Sequence, residues 1–497
     1  MRHRAVPIGI VAALLALTVV PSVSPADSSG PTVTVNVGGP LNLRPIAPGF
    51  IGTSTEFWAV KDYTGRDPNH INPVLVQLLR NLAAGGQPVL RIGGNSTDQT
   101  WWPMKGVIPG GGVKYGLTNG WLRTTKALAQ ALNAKLILGV NLADGQPALA
   151  AAEARAFIQG IGRQYIDAIE IGNEPDVYGQ FAWYRAPDGR VFFSRRSTYS
   201  LSDFEADFAR WRAALPVVPL AGPATAELVW LSGLDNFISA ESNLSVVTLH
   251  RYALRGCNHT ASSPLFPSIP NLLSDASSQT LAQNLAPYVA VADAHSVPFR
   301  VDELNSASCG GVKGLSDTFA SALWALDTLF NLASVGVDGV NIHTFPNAGY
   351  ELFSFRHTGN SWQAFVHPEY YGLLAFDRAA PPGSRLLYVA EPGGPIKVWA
   401  TQSAGNVTHV VVINKSPTAA QTVQIHMLGG ATSASLEWLQ APSATATDGV
   451  TLGGQTFGNA TSTGGLGGTL RTAPLDSFLD AYQITMPPAS AVILTQG

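Results

Sequence analysis

Between residues 50 and 379 one unit recurs eight times: a short apolar run with strand character, then an Ala- and Leu-rich stretch with helical spacing. The predicted strands are 50–56, 89–92, 135–140, 166–171, 217–221, 244–250, 299–303 and 337–343. The helical stretches cover 71–84, 121–133, 149–161, 202–214, 227–240, 279–295, 316–334 and 368–379. Strands alternating with helices build right-handed βαβ units around a parallel sheet. Such a sheet is open and doubly wound or closed, and a count of eight favours closure. The expected fold class is α/β, a (β/α)8 TIM barrel.

The flanks have another texture. From Arg385 onward, short alternating runs such as Thr408-His-Val-Val-Val-Ile413 are separated by Gly, Ser and Thr clusters, as in a β-sandwich. Residues 32–37 alternate in the same way and are expected to join that sandwich from the other end of the chain. At the start, Arg2 and Arg4 precede an apolar run and Ser24-Pro-Ala26 supplies small residues for cleavage, the pattern of a secretory signal. The expected organisation is a signal peptide at 1–26, an N-terminal strand for the sandwich within 27–47, a catalytic barrel at 48–383 and a C-terminal β-sandwich domain at 384–497. The protein is expected to be secreted (extracellular, periplasmic or at the cell surface), monomeric, and free of the membrane after cleavage.

Charged residues make up 13% of the chain against about 25% in an average soluble domain, and 46% are apolar, ample for a large core. The formal net charge is −3, and losing Arg2 and Arg4 with the leader leaves 28 − 33 = −5. A nucleic-acid binder carries a basic excess, so no nucleic-acid partner is expected. The ten His and two Cys form no HExxH or CxxC pattern, and Gly-x-Ser-x-Gly is absent. No metal or organic cofactor is expected. Two cysteines in an exported chain allow one disulfide, Cys257–Cys309, with free thiols as the alternative.

A barrel of this kind carries its active site at the C-terminal ends of the strands, so polar residues that cut off an apolar strand are the ones to inspect. The first strand ends in Glu56, the second runs Leu90-Arg-Ile-Gly-Gly-Asn95, and the fourth runs Ile169-Glu-Ile-Gly-Asn-Glu-Pro175. The sixth ends in His250-Arg-Tyr252, the seventh in Arg300-Val-Asp-Glu303 and the eighth in His343. Glu174 and Glu303 thus stand on opposite sides of the ring. Glycosidic cleavage needs such a pair, one acid at the leaving oxygen and one carboxylate at the anomeric carbon. Most Asp and Glu are solvated loop groups, but two at opposed strand ends weigh against that reading. Arg91 is expected to hold a carboxylate such as Glu303, an ordinary pair with Asp98 being the alternative. Strand alternation turns Asp302 to the face opposite Glu303, in a structural role.

In this order the motifs resemble glycoside hydrolase family 79, the β-glucuronidase and heparanase family of clan A. The matching segments are Leu90 to Asp98, Glu170 to Asp176, Leu249 to Tyr252, Glu303 to Gly311 and Asn347 to Tyr350. The resemblance implies that Glu174 is the general acid/base and Glu303 the nucleophile of a retaining double displacement. It further implies that Asn173 binds the sugar 2-hydroxyl, that Tyr252 hydrogen-bonds the nucleophile, and that Glu56 and Asn95 bind sugar hydroxyls. Tyr350, nearby backbone N–H groups and His343 would receive a uronate carboxylate. Two positions depart from the pattern: Ser308 stands where a Tyr is expected, and Glu351 follows Tyr350 where some relatives have Gly. A negative side chain there must turn away from a uronate.

The implied activity is hydrolysis of terminal β-linked glucuronic acid from a glycan or glycoside. Alternatives are an endo-acting heparanase-like enzyme, a clan A exo-glycosidase on neutral sugars, and a non-catalytic glycan-binding protein. The segment 177–199 carries Arg185, Arg190, Arg195 and Arg196 and is expected to shape the aglycone side, where those arginines would suit an acidic glycan. Trp101, Trp102, Trp183 and Tyr184 are candidates for stacking on sugars, against ordinary core packing.

Overall fold

Val33, Val35 and Val37 alternate with polar residues and form β1 (Val33–Pro40), which is buried on one face. The computed structural model describes residues 32–83, 86–257, 259–359, 361–390 and 392–497, so the expected signal peptide falls outside the described residues. Next come the apolar runs of the repeat: β2 (Ile51–Glu56), β3 (Val89–Gly93), β4 (Lys135–Val140), β5 (Ile166–Ile171), β6 (Leu220–Thr225), β7 (Leu244–Leu254), β8 (Phe299–Ala307) and β9 (Gly339–His343). Each pairs in parallel with the next, and β9 closes on β2. The eight-unit reading therefore holds.

The helices that return the chain are α1 (Pro73–Asn81), α2 (Asn119–Leu132), α3 (Pro147–Phe157), α4 (Leu201–Ala214), α5 (Leu234–Ala240), α6 (Ala286–Ala294), α7 (Phe319–Ser334) and α8 (Pro368–Ala379). Their starts follow capping chemistry. Asn72 accepts from the Val74 and Leu75 amides ahead of α1, and Ser200 and Asp203 form a reciprocal capping box on α4. Of the boundaries that differ from expectation, proline explains two. The stretch 279–295 splits into Gln279–Gln283 and α6, because Pro287 inside one continuous helix would clash with the carbonyl four residues back. The strand expected at 217–221 begins only after Pro219, leaving Val217 exposed.

The C-terminal strands are β10 (Arg385–Val389), β11 (Ile396–Gln402), β12 (Thr408–Asn414), β13 (Gln421–Met427), β14 (Ala434–Gln440), β15 (Ala481–Met486) and β16 (Ser490–Gln496). They form a sandwich, with β10 shared between its layers. Arg385 and Leu386 pair with β11, whereas Leu387 and Val389 reach β1. As expected, β1 lies inside this domain, antiparallel to β10 and parallel to β13.

Strand β12 is apolar on both faces. Val410 and Val412 enter the sandwich core, while Val411 and Ile413 join the core that continues into the barrel. At that seam Asp327 of α7 accepts from Lys415 Nζ at 2.5 Å, Ser278 Oγ at 2.7 Å and Trp399 Nε1 at 2.9 Å. Burial works against ionisation of Asp327, but Lys415 holds its pKa below the usual range. A buried pair with its remaining lone pairs satisfied fixes geometry more than it adds stability.

Candidate active site

The barrel interior is polar toward its C-terminal end, and Arg91 on β3 organises it. The guanidinium is fully buried and all its nitrogens are engaged. Nε meets Glu170 Oε2 at 2.7 Å and Asp302 Oδ2 at 3.1 Å. Nη1 donates to Glu303 Oε2 at 2.7 Å and to Ser54 Oγ at 3.2 Å, and Nη2 donates to Asn173 Oδ1 at 2.9 Å. Such a fork suits several carboxylates and amides at once. The pairing with Glu303 is the expected one. The alternative with Asp98 is not realised, because Asp98 instead accepts from the Leu142, Ala143 and Asn173 amides and the Tyr178 hydroxyl.

Asp302 corrects the alternation argument. It is buried inside the barrel beside Arg91, on the same side as Glu303. The cause is a β-bulge on β8: Leu249 and His250 are consecutive on β7 yet pair with Val301 and Glu303. The extra residue resets the alternation, so both carboxyls point inward. Burial and the neighbouring Glu170 raise the Asp302 pKa far above the usual range, keeping it protonated against Glu170. Glu170 also suffers from burial, but Arg91 holds it ionised.

Glu303 receives Tyr252 Oη on Oε1 at 2.7 Å, as expected, and Arg91 on Oε2. Burial opposes its charge, yet His343, His250, Arg91 and the Tyr252 hydroxyl together hold its pKa well below the usual carboxylate range. Glu174 has a different setting. It sits at φ +53°, a left-handed conformation rare outside glycine, and its N–H donates to Ala224 O at 2.9 Å. Asp176 secures the same turn by accepting from the Ala226 and Glu227 amides at 3.0 and 2.8 Å. The Glu174 side chain is 22% exposed, against 7% for Glu303, and Oε1 lies 3.0 Å from His250 Nδ1. Oxygens of Glu174 and Glu303 and a nitrogen of His250 lie within 4.8 Å of one another.

Arg91 also fixes which way Asn173 faces: with Oδ1 accepting from the guanidinium, the amide NH2 turns toward Asn95 Oδ1, 3.5 Å away. Asn95 is exposed at the rim. Glu56 lies at the mouth, but its carboxylate is already held by the Asn95 and Ser96 amides and the Ser96 hydroxyl. Burial pushes its pKa up to about 7. His343 is hydrogen-bonded to Ser54 through Nδ1 at 3.0 Å, and burial lowers its pKa to about 4, so it is neutral at neutral pH. It can therefore donate only as a neutral imidazole.

Tyr350 is buried, with its ring stacked 6.0 Å from that of Tyr252. Its loop is locked to the segment after β8. Gly349 N donates to Gly310 O at 2.6 Å, and a Cβ on Gly311 (φ +78°) would lie 2.7 Å from the Tyr350 amide. The Cys257–Cys309 disulfide, with Cα atoms 6.0 Å apart, closes that segment onto the loop after β7. Glu351 turns away, accepting from Asn347 N at 3.0 Å and Tyr63 Oη at 3.4 Å, and burial raises its pKa to about 7.

Glu170, Thr248 and His250 were not assigned roles from sequence. Each is a polar residue at an inward position just below or at the mouth, and Thr248 Oγ1 donates to Glu170 Oε1 at 2.8 Å. Charged residues inside otherwise apolar barrel strands were the available signal. Among the described residues two sets could ligate a metal by spacing, Glu170/His250/Asp302 and Glu174/His250/Glu303. In the first, the Arg91 guanidinium already supplies the positive charge.

These shifts have a thermodynamic consequence. Glu56 and Glu351 at about 7 and Asp176, raised by burial to about 6, bind protons more tightly folded than unfolded. Their contribution is complete below the unfolded carboxyl pKa and is lost as pH rises through the folded values. Asp377, raised by burial to about 7, adds to this set, whereas His343, His367 and His409, lowered by burial, act in the opposite sense below the unfolded histidine value. The thermal midpoint should therefore fall by about 3 °C between pH 5.5 and 7.5. Scanning calorimetry checks this, and a midpoint that rises across the interval would contradict it.

Residues 398–493 match the family model for the glycosyl hydrolase family 79 C-terminal beta domain. A β-glucuronidase of Neurospora crassa is 24% identical over 440 aligned residues, covering 78% of this chain and 76% of the relative. The crystal structure of a 4-O-α-L-rhamnosyl-β-D-glucuronidase from Fusarium oxysporum 12S superimposes with a TM-score of 0.73 at 20% identity, covering 93% of this chain and 100% of that one. The family 51 arabinofuranosidase from Xanthomonas axonopodis pv. citri gives 0.67 at 14% identity, with coverage of 93% and 100%. At such identities these structures speak for the fold, a barrel with an attached β domain. Together with the C-terminal domain model and the glucuronidase relative, they show a glycoside hydrolase whose C-terminal domain matches that of family 79.

Proposed function

We propose that the protein is a secreted, retaining β-glucuronidase that removes terminal β-linked glucuronic acid. The observation that carries the reading is the asymmetry of the two mouth glutamates. Glu303 is buried, ionised and oriented by Arg91 and Tyr252. Glu174 is more open, faces His250, and has an oxygen within 4.8 Å of Glu303. That spacing supports a retaining enzyme, whose carboxyl groups stand about 5–5.5 Å apart, over an inverting one, whose wider pair holds a water between them.

In the first step a Glu303 oxygen bonds to the anomeric carbon while the glycosidic bond breaks, and the Glu174 proton passes to the leaving oxygen. Esterification removes the Glu303 charge. In the second step Glu174 takes a proton from water as that water's oxygen displaces Glu303. The Asn173 NH2, aimed outward by Arg91, donates to the sugar 2-hydroxyl, a contact that strengthens toward the transition state. Tyr350 and its loop receive the uronate, and Glu351 facing Asn347 and Tyr63 removes the charge conflict expected beside it. Export is supported by the signal pattern at 1–26.

Hydrolysis of p-nitrophenyl β-D-glucuronide, β-D-glucoside and β-D-xyloside tests the assignment. A site built to bind a carboxylate should prefer the glucuronide by about 10⁴-fold in kcat/KM, and NMR should show the β-anomer of glucuronic acid as the first product. Turnover of the neutral sugars alone would remove the uronate assignment, and an α-anomer first product would remove the double displacement.

A further inference from the structure

We propose that the loop following Glu174 and the loop following β3 form an aglycone subsite for a planar, apolar group such as an aryl aglycone, rather than for an anionic glycan. This rests on the glucuronidase reading and extends it to the other half of the substrate. The acid/base delivers its proton to the leaving oxygen, so the aglycone departs on the Glu174 side. There the chain runs directly into a hairpin pairing Tyr184–Arg185 with Val191–Phe192.

That hairpin is rigidly seated on the site. Trp183 Nε1 donates to Asp98 O at 2.8 Å, and Asp98 binds the Asn173 amide, which precedes Glu174. The Trp183 and Tyr184 rings lie against Gly112 and Gly111 of the loop after β3, so closely that a Cβ at either glycine would overlap a ring. Tyr184 and Phe192 stack at 4.6 Å and 3°. The two loops joined in this way carry Ile108, Phe181 and Phe193 at 87%, 57% and 49% exposure. Exposed apolar side chains on loops anchored in this way to the Asn173–Glu174 turn are suited to binding an apolar group.

The arginines of the segment do not oppose this. Arg190 pairs with Asp188, Arg195 with Asp207 and Arg196 with Asp203, at 2.7, 3.0 and 2.8 Å. Three of its four cations are thus paired with aspartates of the chain, Asp207 also pairing with Arg210 at 2.6 Å.

The test compares three substrates of the full-length enzyme: 4-methylumbelliferyl β-D-glucuronide, β-glucuronyl fluoride, and a disaccharide in which glucuronic acid is β-linked to galactose. For Phe181→Ala/Phe193→Ala, KM for the aryl glucuronide should rise on the order of tenfold with kcat little changed, the scale of two lost aromatic contacts. Values for the fluoride, which has no aglycone to stack, should stay at wild type. Equal losses on the aryl glucuronide and the fluoride would assign the phenylalanines to folding and overturn the subsite. A loss confined to the disaccharide would overturn the aryl assignment. Failure of the wild-type enzyme on all three would instead defeat the glucuronidase reading itself.

Discussion

Glu303→Gln should lower kcat for p-nitrophenyl β-D-glucuronide by about four to six orders of magnitude, the range seen when a nucleophile is removed from a covalent mechanism. The expectation follows from chemistry rather than from damage to the site. A glutamine carbonyl can still accept from Arg91 Nη1, and its NH2 can donate to Tyr252, whose hydroxyl also accepts. Shape and hydrogen bonding are therefore retained while the nucleophilic charge is lost. Circular dichroism should match wild type. Residual kcat above about one per cent, with contaminating wild type excluded, would remove Glu303 from the role.

Arg91→Met should cost about 3–5 kcal/mol of stability, because it strips the cation from a buried set of carboxyls. Glu170 is fully buried, and its remaining partners Thr248 and protonated Asp302 bring no positive charge. The same change frees the Asn173 amide and removes a donor from Glu303. kcat/KM should accordingly fall by about 10³-fold even in the fraction that folds. Arg91→Lys separates the two effects. It restores a charge but cannot reach Glu170, Glu303 and Asn173 with one ammonium, so stability should recover more than activity. Urea denaturation and steady-state kinetics on the same preparations decide it, and an Arg91→Met protein with a wild-type unfolding midpoint would refute the account.

Much of this architecture was legible because it depends on local periodicity. Eight apolar runs, each followed by helical spacing, leave few topologies open, and the residues that interrupt the runs fall at the barrel mouth. Glu174, Glu303 and Arg91 could be picked out because each lies at or just beyond the end of an apolar run, whereas the roles of Asn173 and Tyr252 rested on the family resemblance. Asp302 could not be placed correctly, since one inserted residue on β8 reverses the face of everything after it and periodicity does not announce a bulge. His250 lay within a quoted motif, but its position between Glu174, Glu303 and Asp302 depends on three strands distant in sequence. The internal pairing of Arg190, Arg195 and Arg196 was equally hidden. Sequence shows their charge but not that nearby aspartates use it.

The place of β1 between β10 and β13 bears on how the molecule is made. During synthesis β1 leaves the ribosome ahead of the barrel and waits while the whole barrel follows, because both its neighbours are encoded beyond the barrel. Val33, Val35 and Val37 then lack a partner, and an unpaired apolar edge invites wrong association. A nascent chain that stops short of β13 keeps that edge open however well its barrel has folded. Synthesis through β13 is thus what conceals β1, and a product terminated before it remains marked for chaperones and proteases by that strand.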